Sequence, residues 1–204
     1  MTQIALPLGR GEAAPSRIVV GNANSAALEA MAAATTWPFR TAVLHGPPRS
    51  GKSLIARWFA EHGIGEAIDD ADRMDETVLF HRWNRAQEGG APLLLVSGRD
   101  AEAWTIALPD LRSRLGAALH LAIGTPDDAM LADLLAVHAE QRGLPLGPDA
   151  PAYLVPRAER SHLGIERLVT VIDRLSLERK VAPTLSVWRD ALEEIMGPKE
   201  PRLL

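Results

Sequence analysis

TAVLHGPPRSGKSLIARWFAEHG, Thr41 to Gly63, decides how the rest of the chain is read. The apolar run from Thr41 to Gly46 reads as a buried strand, and the segment from Ser50 as a helix closed by Gly63. Between them GPPRSGKS matches G-x-x-x-x-G-K-[ST] where the pattern carries meaning, behind a strand and opening a helix. Gly46, Pro47, Pro48, Arg49, Ser50 and Gly51 then form a loop that wraps a phosphate, with the positive helix end behind it. Lys52 is placed to reach the β- and γ-phosphates and Ser53 to ligate Mg²⁺. The stretch predicts an α/β fold with a parallel sheet, built on a P-loop.

Downstream, IGEAIDDAD (64–72) reads as a weak strand running into an acidic cluster. A P-loop site needs a carboxylate at the end of a neighbouring strand for Mg²⁺ and a second group to orient water. Asp69 suits the first role and Asp70 the second; the competing reading is an acidic loop capping the next helix, the task given to Asp72. DETVLFHRWNRAQEGG (75–90) is an amphipathic helix with Asp75 or Glu76 in its first turn and a Gly-Gly stop. APLLLVSGR (91–99) is the clearest buried strand, and Ser97 at its end suits a group sensing the γ-phosphate or the attacking water. Strands also end in Ser-Gly for turn reasons alone. LPDLRSRLG (108–116) carries Arg112 and Arg114 ahead of a last strand, AALHLAIG (117–124). Arginine neutralises charge on a transferring phosphoryl group, although two arginines on a turn are ordinarily just solvated.

Upstream, RIVVGNANSAALEAMAAA (17–34) reads as an apolar stretch, a Gly-Asn turn and an alanine-rich helix capped by Asn24 or Ser25, its region ended by Pro38. Beyond Thr125-Pro126 only helical spacing remains, over 127–143, about 148–158, 162–180 and 185–196. The expected organisation is an N-terminal peptide and tether (1–16), an α/β nucleotide-binding core (17–124) and a small all-helical lid (125–204).

The 204 residues are 47% apolar and 24% charged, which is globular composition. A net charge of −4 argues against a basic phosphate-gripping face, so no direct sequence-specific DNA binding is expected. The absence of cysteine removes disulfides and thiolate chemistry and fits a reducing cytoplasm. QIALPL (Gln3–Leu8) is too short for a secretory signal, and no apolar run approaches the ~20 residues of a membrane span. The six histidines lack metal-ligand spacing.

A P-loop, an Asp-Asp pair, a strand ending in Ser, an S-R-L arginine and a helical lid together resemble AAA+ ATPases. RSRLG (112–116), a strand and then TPDD (125–128) are similar to the DnaA branch. RIVVGNANSAAL (17–28) resembles the segment that covers the adenine there, which brings in Val19 and Val20. A DnaA-type helix-turn-helix domain after the lid is not expected on this reading. QIALPL matches a Q-L-x-L-P-L clamp-binding peptide at Gln3, Leu6, Pro7 and Leu8, with Ile4 in place of Leu. The whole resembles the Hda family of DnaA-related regulators.

That resemblance implies ADP or ATP with Mg²⁺ as cofactors, weak intrinsic hydrolysis, and DnaA and the β sliding clamp of DNA polymerase III as partners. It makes Ser97 sensor 1, Asp70 the water-orienting acid, and Arg114 an arginine finger acting in trans on DnaA. The family implies ADP as the active ligand; self-association stays open. Between Lys52 and Asp69 the family fits another strand and helix, so a βα unit is missing or shortened here. In the lid, a gapless alignment puts Glu166 at sensor 2; a one-residue shift puts Arg167 there, and otherwise no residue serves. Two other readings stand beside this one: a stand-alone AAA+ motor or helicase-loader relative, and a recruitment adaptor whose nucleotide is structural.

Overall fold

Strand β1 (Thr41–His45) runs directly into the glycine-rich loop and lies inside a four-stranded sheet. The computed structural model describes residues 17–98 and 104–197. The other strands are β2 (Glu66–Ile68), β3 (Leu93–Val96) and β4 (Leu119–Ala122), in the order β2-β3-β1-β4, every pair parallel. Parallel strands covered on both faces read as unbroken apolar runs. Accordingly Leu93–Val96 is buried throughout, and Thr41–Leu44 likewise. β2 and β4, at the two edges, are only partly buried.

The strand order fixes where the helices go. Helix α1 (Ser25–Ala32) precedes β1; α2 (Lys52–Glu61), α3 (Glu76–Gly89) and α4 (Pro109–Gly116) make the three crossovers. The step from β1 to β2 runs one way along the sheet, whereas β2 to β3 and β3 to β4 run the other. Right-handed crossovers therefore place α2 on one face and α3 with α4 on the opposite face. Packing agrees: Val43, Leu93 and Leu95 share a core with Leu79, Trp83 and Ala86 of α3 and Leu111 and Leu115 of α4. The alternate residues Ala42, Leu44, Leu94 and Val96 are buried on the other face. There α2 buries Ile55, Ala56 and Phe59, and Phe59 stacks on Trp37 at 5.6 Å.

Only His62–Gly65 links α2 to β2, and among the described residues β2 pairs with β3 alone and forms one edge of the sheet. Gly65 makes this short connection fit, because a Cβ would lie 2.2 Å from the Pro92 carbonyl oxygen, which accepts from the Glu66 N–H at 2.8 Å.

The chain divides into two compact units, Met1–Gly124 and Thr125–Leu204. Within the second, α5 (Asp128–Gln141), α6 (Ala150–Leu154), α7 (His162–Arg179) and α8 (Leu185–Met196) form a helical body with α7 packed on α5 and α8. Asp127 caps α5 through the Met130 N–H at 2.9 Å, and Ser161 caps α7 through the Gly164 N–H at 2.9 Å. Arg174 ties α7 to α8 by bonding Glu194 while also holding Glu178, and these carboxylates raise its pKa, Glu194 foremost. No helix of the described residues is long and apolar enough to cross a membrane.

Candidate functional site

All four strands point their C-terminal ends at one edge of the sheet, so the residues leaving them gather there. β1 delivers the loop. Gly46 sits against β4's exit: a Cβ on it would meet Ile123 Cβ and the Ile123 carbonyl oxygen, each at 2.9 Å. Arg49 and Gly51 turn the backbone with φ of 63° and 87°, and α2 starts with no side-chain cap. Its first N–H groups thus face the loop's interior as an anion-binding end. Lys52 crosses back over the loop, its Nζ donating to the Gly46 carbonyl at 2.7 Å and the Pro47 carbonyl at 2.9 Å. Ser50 is buried, and its hydroxyl oxygen has no hydrogen-bond partner. An orphaned hydroxyl, an uncapped helix start and an ammonium folded over a glycine-wrapped loop fit a phosphate group. Ser53 stands exposed in the first turn of α2.

Ile68 is level with Leu95 and Leu44 with Val96, so Asp69 and Asp70 leave β2 in line with Val96 and Ser97. With strands about 4.8 Å apart, the two carboxylate residues stand about 10 Å from β1, with Ser97 between. Ser97 is fully buried, and its N–H donates to the Leu44 carbonyl at 2.9 Å, extending the ladder beyond β3. Asp69 and Asp70 are both exposed. Asp70 adopts left-handed φ of 48°, which aspartate tolerates, and its N–H donates to Asp69 Oδ1 at 3.0 Å. Among the described residues no cluster of three His, Asp or Glu forms a metal cage. Mg²⁺ at such a site would draw on Ser53 and Asp69, with phosphate oxygens and water completing its shell.

Val19 and Val20 reach the same edge by a chain of backbone contacts. Asn24, almost fully buried, accepts from the Gly21 N–H at 2.9 Å and donates to the Val19 carbonyl at 2.8 Å. Its side chain therefore braces the preceding turn rather than capping α1. The Ala23 carbonyl accepts from Gly124 N–H, and the His45 carbonyl from Ile123 N–H, which sets the Val19–Val20 segment beside the loop's entrance.

Asp72 has a different job from the helix cap expected of it. Asp75 caps α3, its Oδ1 accepting from the Thr77 and Val78 N–H groups at 3.0 and 3.1 Å. Asp72 reaches instead to the end of β3, where its Oδ1 accepts from the Gly98 N–H at 2.9 Å. It links the acidic loop to the residue after Ser97. Nothing in local spacing announces a contact across 26 residues, so the sequence carried no signal for it.

Arg114 stands elsewhere. Helix α4 runs antiparallel to the strands, so its last turn lies at the opposite edge of the sheet from the P-loop, on the face away from α2. The structure does not bring it to this chain's own phosphate loop. Its guanidinium lies 4.3 Å from the Trp83 ring centroid and 4.4 Å from that of Phe80, and it donates to Asn84 Oδ1. Arg112 is turned inward on its own helix start, Nε donating to the Ile106 carbonyl at 2.8 Å. Arg167 is exposed on α7 in the second unit, with Glu166 half-buried beside it. Gln3, Ile4, Leu6, Pro7 and Leu8 lie outside the described residues.

No protein-family model matches the chain. An uncharacterized protein of Haemophilus influenzae is 29% identical over 104 residues, covering 50% of this chain and 45% of that protein. The chain thus spans about half the length of this curated relative. Domain III of the replication initiation protein DnaA from Thermotoga maritima superposes with a TM-score of 0.72 at 15% identity, over 89% of this chain and 95% of that one. The fold is that of the DnaA-like AAA+ proteins. AMPPCP-bound DnaA from Aquifex aeolicus shares this AAA+ fold with a TM-score of 0.60 at 17% identity, covering 80% of this chain and 66% of that one. The RuvB Holliday junction branch migration motor of Thermotoga maritima also gives 0.60 at 17% identity, covering 85% and 68%.

Proposed function

We propose that the chain binds adenine nucleotide at Gly46–Ser53 and acts as a regulator that stimulates ATP hydrolysis by DnaA. The observation that carries this reading is the division of parts. Lys52, Asp69, Asp70 and Ser97 gather at one sheet edge, while Arg114 stands at the other, away from its own loop. A guanidinium so placed serves a neighbour's nucleotide rather than its own. Adenine as the base is supported by the DnaA neighbour that holds AMPPCP. Mg²⁺ is assigned to Ser53 and Asp69, Asp70 to orienting water, Ser97 to sensing the γ-phosphate, and Val19 and Val20 to covering the base.

The bound nucleotide supplies phosphates as a structural anchor, with ADP as the proposed active ligand. The chain's own residues do the rest: loop amides bind, Lys52 holds charge, and Arg114 presents its N–H groups to a partner's γ-phosphate. Such an arginine is worth about 10³–10⁵ in rate in well-studied P-loop systems. Gln3, Leu6, Pro7 and Leu8, with Ile4, form the proposed address for the β sliding clamp, which raises the local concentration of Arg114 near DNA-bound DnaA. Arg167 is the proposed sensor 2 of a weak intrinsic ATPase.

The test is DnaA ATP hydrolysis on clamp-loaded DNA with wild type, Arg114→Ala and a Gln3/Leu6/Leu8→Ala variant. Stimulation by wild type alone supports the reading, whereas equal stimulation by all three, or by none, removes it. A second reading, a stand-alone motor, is favoured by the shared fold with RuvB. It predicts vigorous ATP hydrolysis by this protein without DnaA.

A further inference from the structure

Strand β1 is entered through a strained turn. Trp37-Pro38-Phe39-Arg40 leads into Thr41, and both Phe39 and Arg40 lie in the left-handed region, with φ of 48° and 46°. Glycine or asparagine adopts such a backbone readily, whereas a bulky L residue there is a steric outlier. The turn is held from several sides. The Arg40 N–H donates to the Trp37 carbonyl at 2.8 Å, and the Arg40 guanidinium donates to the Gly90 carbonyl. The Phe39 carbonyl accepts from Thr41 Oγ1 at 2.9 Å and from Gln87 Nε2 at 2.7 Å.

These bonds fix the backbone and leave the Phe39 ring outside. The ring is 56% exposed, whereas the other aromatic side chains of the described residues are buried or half-buried. The fold thus bears strain at a residue whose ring it leaves largely in water. Strain that the surrounding bonds over-determine marks a position kept for function.

Phe39 stands just ahead of β1, at the sheet edge opposite the phosphate loop. Its ring lies 6.4 Å from that of Trp83, and the Arg114 guanidinium lies 4.3 Å from the same Trp83 ring. An exposed aromatic and a half-buried arginine therefore share one corner of the α/β unit. Aromatic and arginine side chains are the types that dominate association energies. A chain that brings a phosphate against Arg114 also comes over Phe39.

We infer that Phe39 is the apolar anchor of the surface that carries Arg114, seated in an apolar recess of the nucleotide-bearing partner, DnaA under the proposed function. This rests on the finger reading. Arg114 supplies charge at the reacting phosphate, and Phe39 supplies residence beside it. The clamped turn keeps the ring presented, so binding need not order it.

The test compares the full chain as wild type, Phe39→Asn, Phe39→Tyr and Arg114→Ala in DnaA ATP hydrolysis on clamp-loaded DNA, over a range of DnaA concentrations. Asparagine tolerates left-handed φ, so Phe39→Asn removes the ring, keeps the turn and should melt no lower than wild type. Roughly half of the ring's surface is left for a partner to bury, so Phe39→Asn should need about 4–15 times more DnaA for half-maximal stimulation. Its maximal rate should stay that of wild type. Phe39→Tyr keeps the apolar ring and should stay within about twofold at half-maximum. Arg114→Ala should instead lose the maximal rate.

An unshifted half-maximum in Phe39→Asn, with Arg114→Ala inactive, would overturn the anchor and spare the finger. So would a melting point well below wild type, which would assign the ring to packing on Trp83. Sedimentation of each protein alone adds a third check. If Phe39→Asn dissociates a self-associated wild type and leaves the DnaA curve unmoved, the ring belongs to a second copy of this chain, and the inference falls. Full stimulation by Arg114→Ala would remove the finger reading, and the anchor's nucleotide-bearing partner with it.

Discussion

Replacing Gly46 by alanine probes the closest backbone approach at the phosphate loop. Gly46 has φ of +153°, where L residues are strained, and the new Cβ would stand 2.9 Å from both Ile123 Cβ and the Ile123 carbonyl oxygen. Ile123 cannot easily yield, since its N–H donates to the His45 carbonyl at 2.9 Å in the ladder that joins β1 to β4. Strain of about 1–3 kcal/mol and overpacking of about 1–3 kcal/mol give a destabilisation of about 2–6 kcal/mol. At about 2–4 °C per kcal/mol for a chain of this size, the melting transition of the α/β unit should fall by about 4–24 °C. Gly51→Ala is the control, because φ is +87° there and a Cβ meets nothing within 4 Å, leaving strain alone. Differential scanning calorimetry without nucleotide reads both. If Gly46→Ala melts with wild type, or no lower than Gly51→Ala, the close approach of loop and β4 is wrong.

Further outcomes follow from the same geometry. Lys52→Ala removes the ammonium that bonds the Gly46 and Pro47 carbonyls, and adenine-nucleotide affinity by calorimetry should fall about 10–150-fold, one charge-assisted interaction's worth. Unaltered affinity would remove the loop as the site. Asp72→Ala strips the acceptor from the Gly98 N–H and should slow intrinsic hydrolysis with little change in nucleotide affinity, whereas Asp72→Asn, which keeps an acceptor oxygen, should restore the rate. Equal rates in both variants would show that the link does not position Ser97. Asp75→Ala uncaps α3 and should cost about 1 kcal/mol, read as a lower melting temperature with nucleotide binding intact.

What could be read from the sequence was local. GPPRSGKS required a strand before it and a helix after it, and β1 and α2 stand there. The lid pattern gave LSVWRDALEEIM as a helix, and α8 spans Leu185–Met196. Burial on both faces made the central strands conspicuous as apolar runs, whereas β2, partly buried at an edge, showed only Ala67 and Ile68 as a lead-in. The alanine-rich helix stops at Ala32, short of Pro38, and two 3₁₀ turns follow, at Ala34–Thr36 and Pro38–Arg40. Alanine content favours helix but does not say where packing ends it. Contacts between distant segments were invisible. Asp72 on Gly98 and Arg114 on Phe80 and Trp83 depend on which strands the crossovers bring together, and no local spacing encodes that.

Under the proposed function Arg114 works on a nucleotide that is not its own. The most direct measurement is ATP hydrolysis by DnaA on clamp-loaded DNA, with wild-type protein against Arg114→Ala at equal concentration. The expected outcome is strong stimulation by wild type and loss of most of it, up to about 10³-fold, in Arg114→Ala, with this protein alone hydrolysing little. Equal stimulation by the two proteins would contradict it.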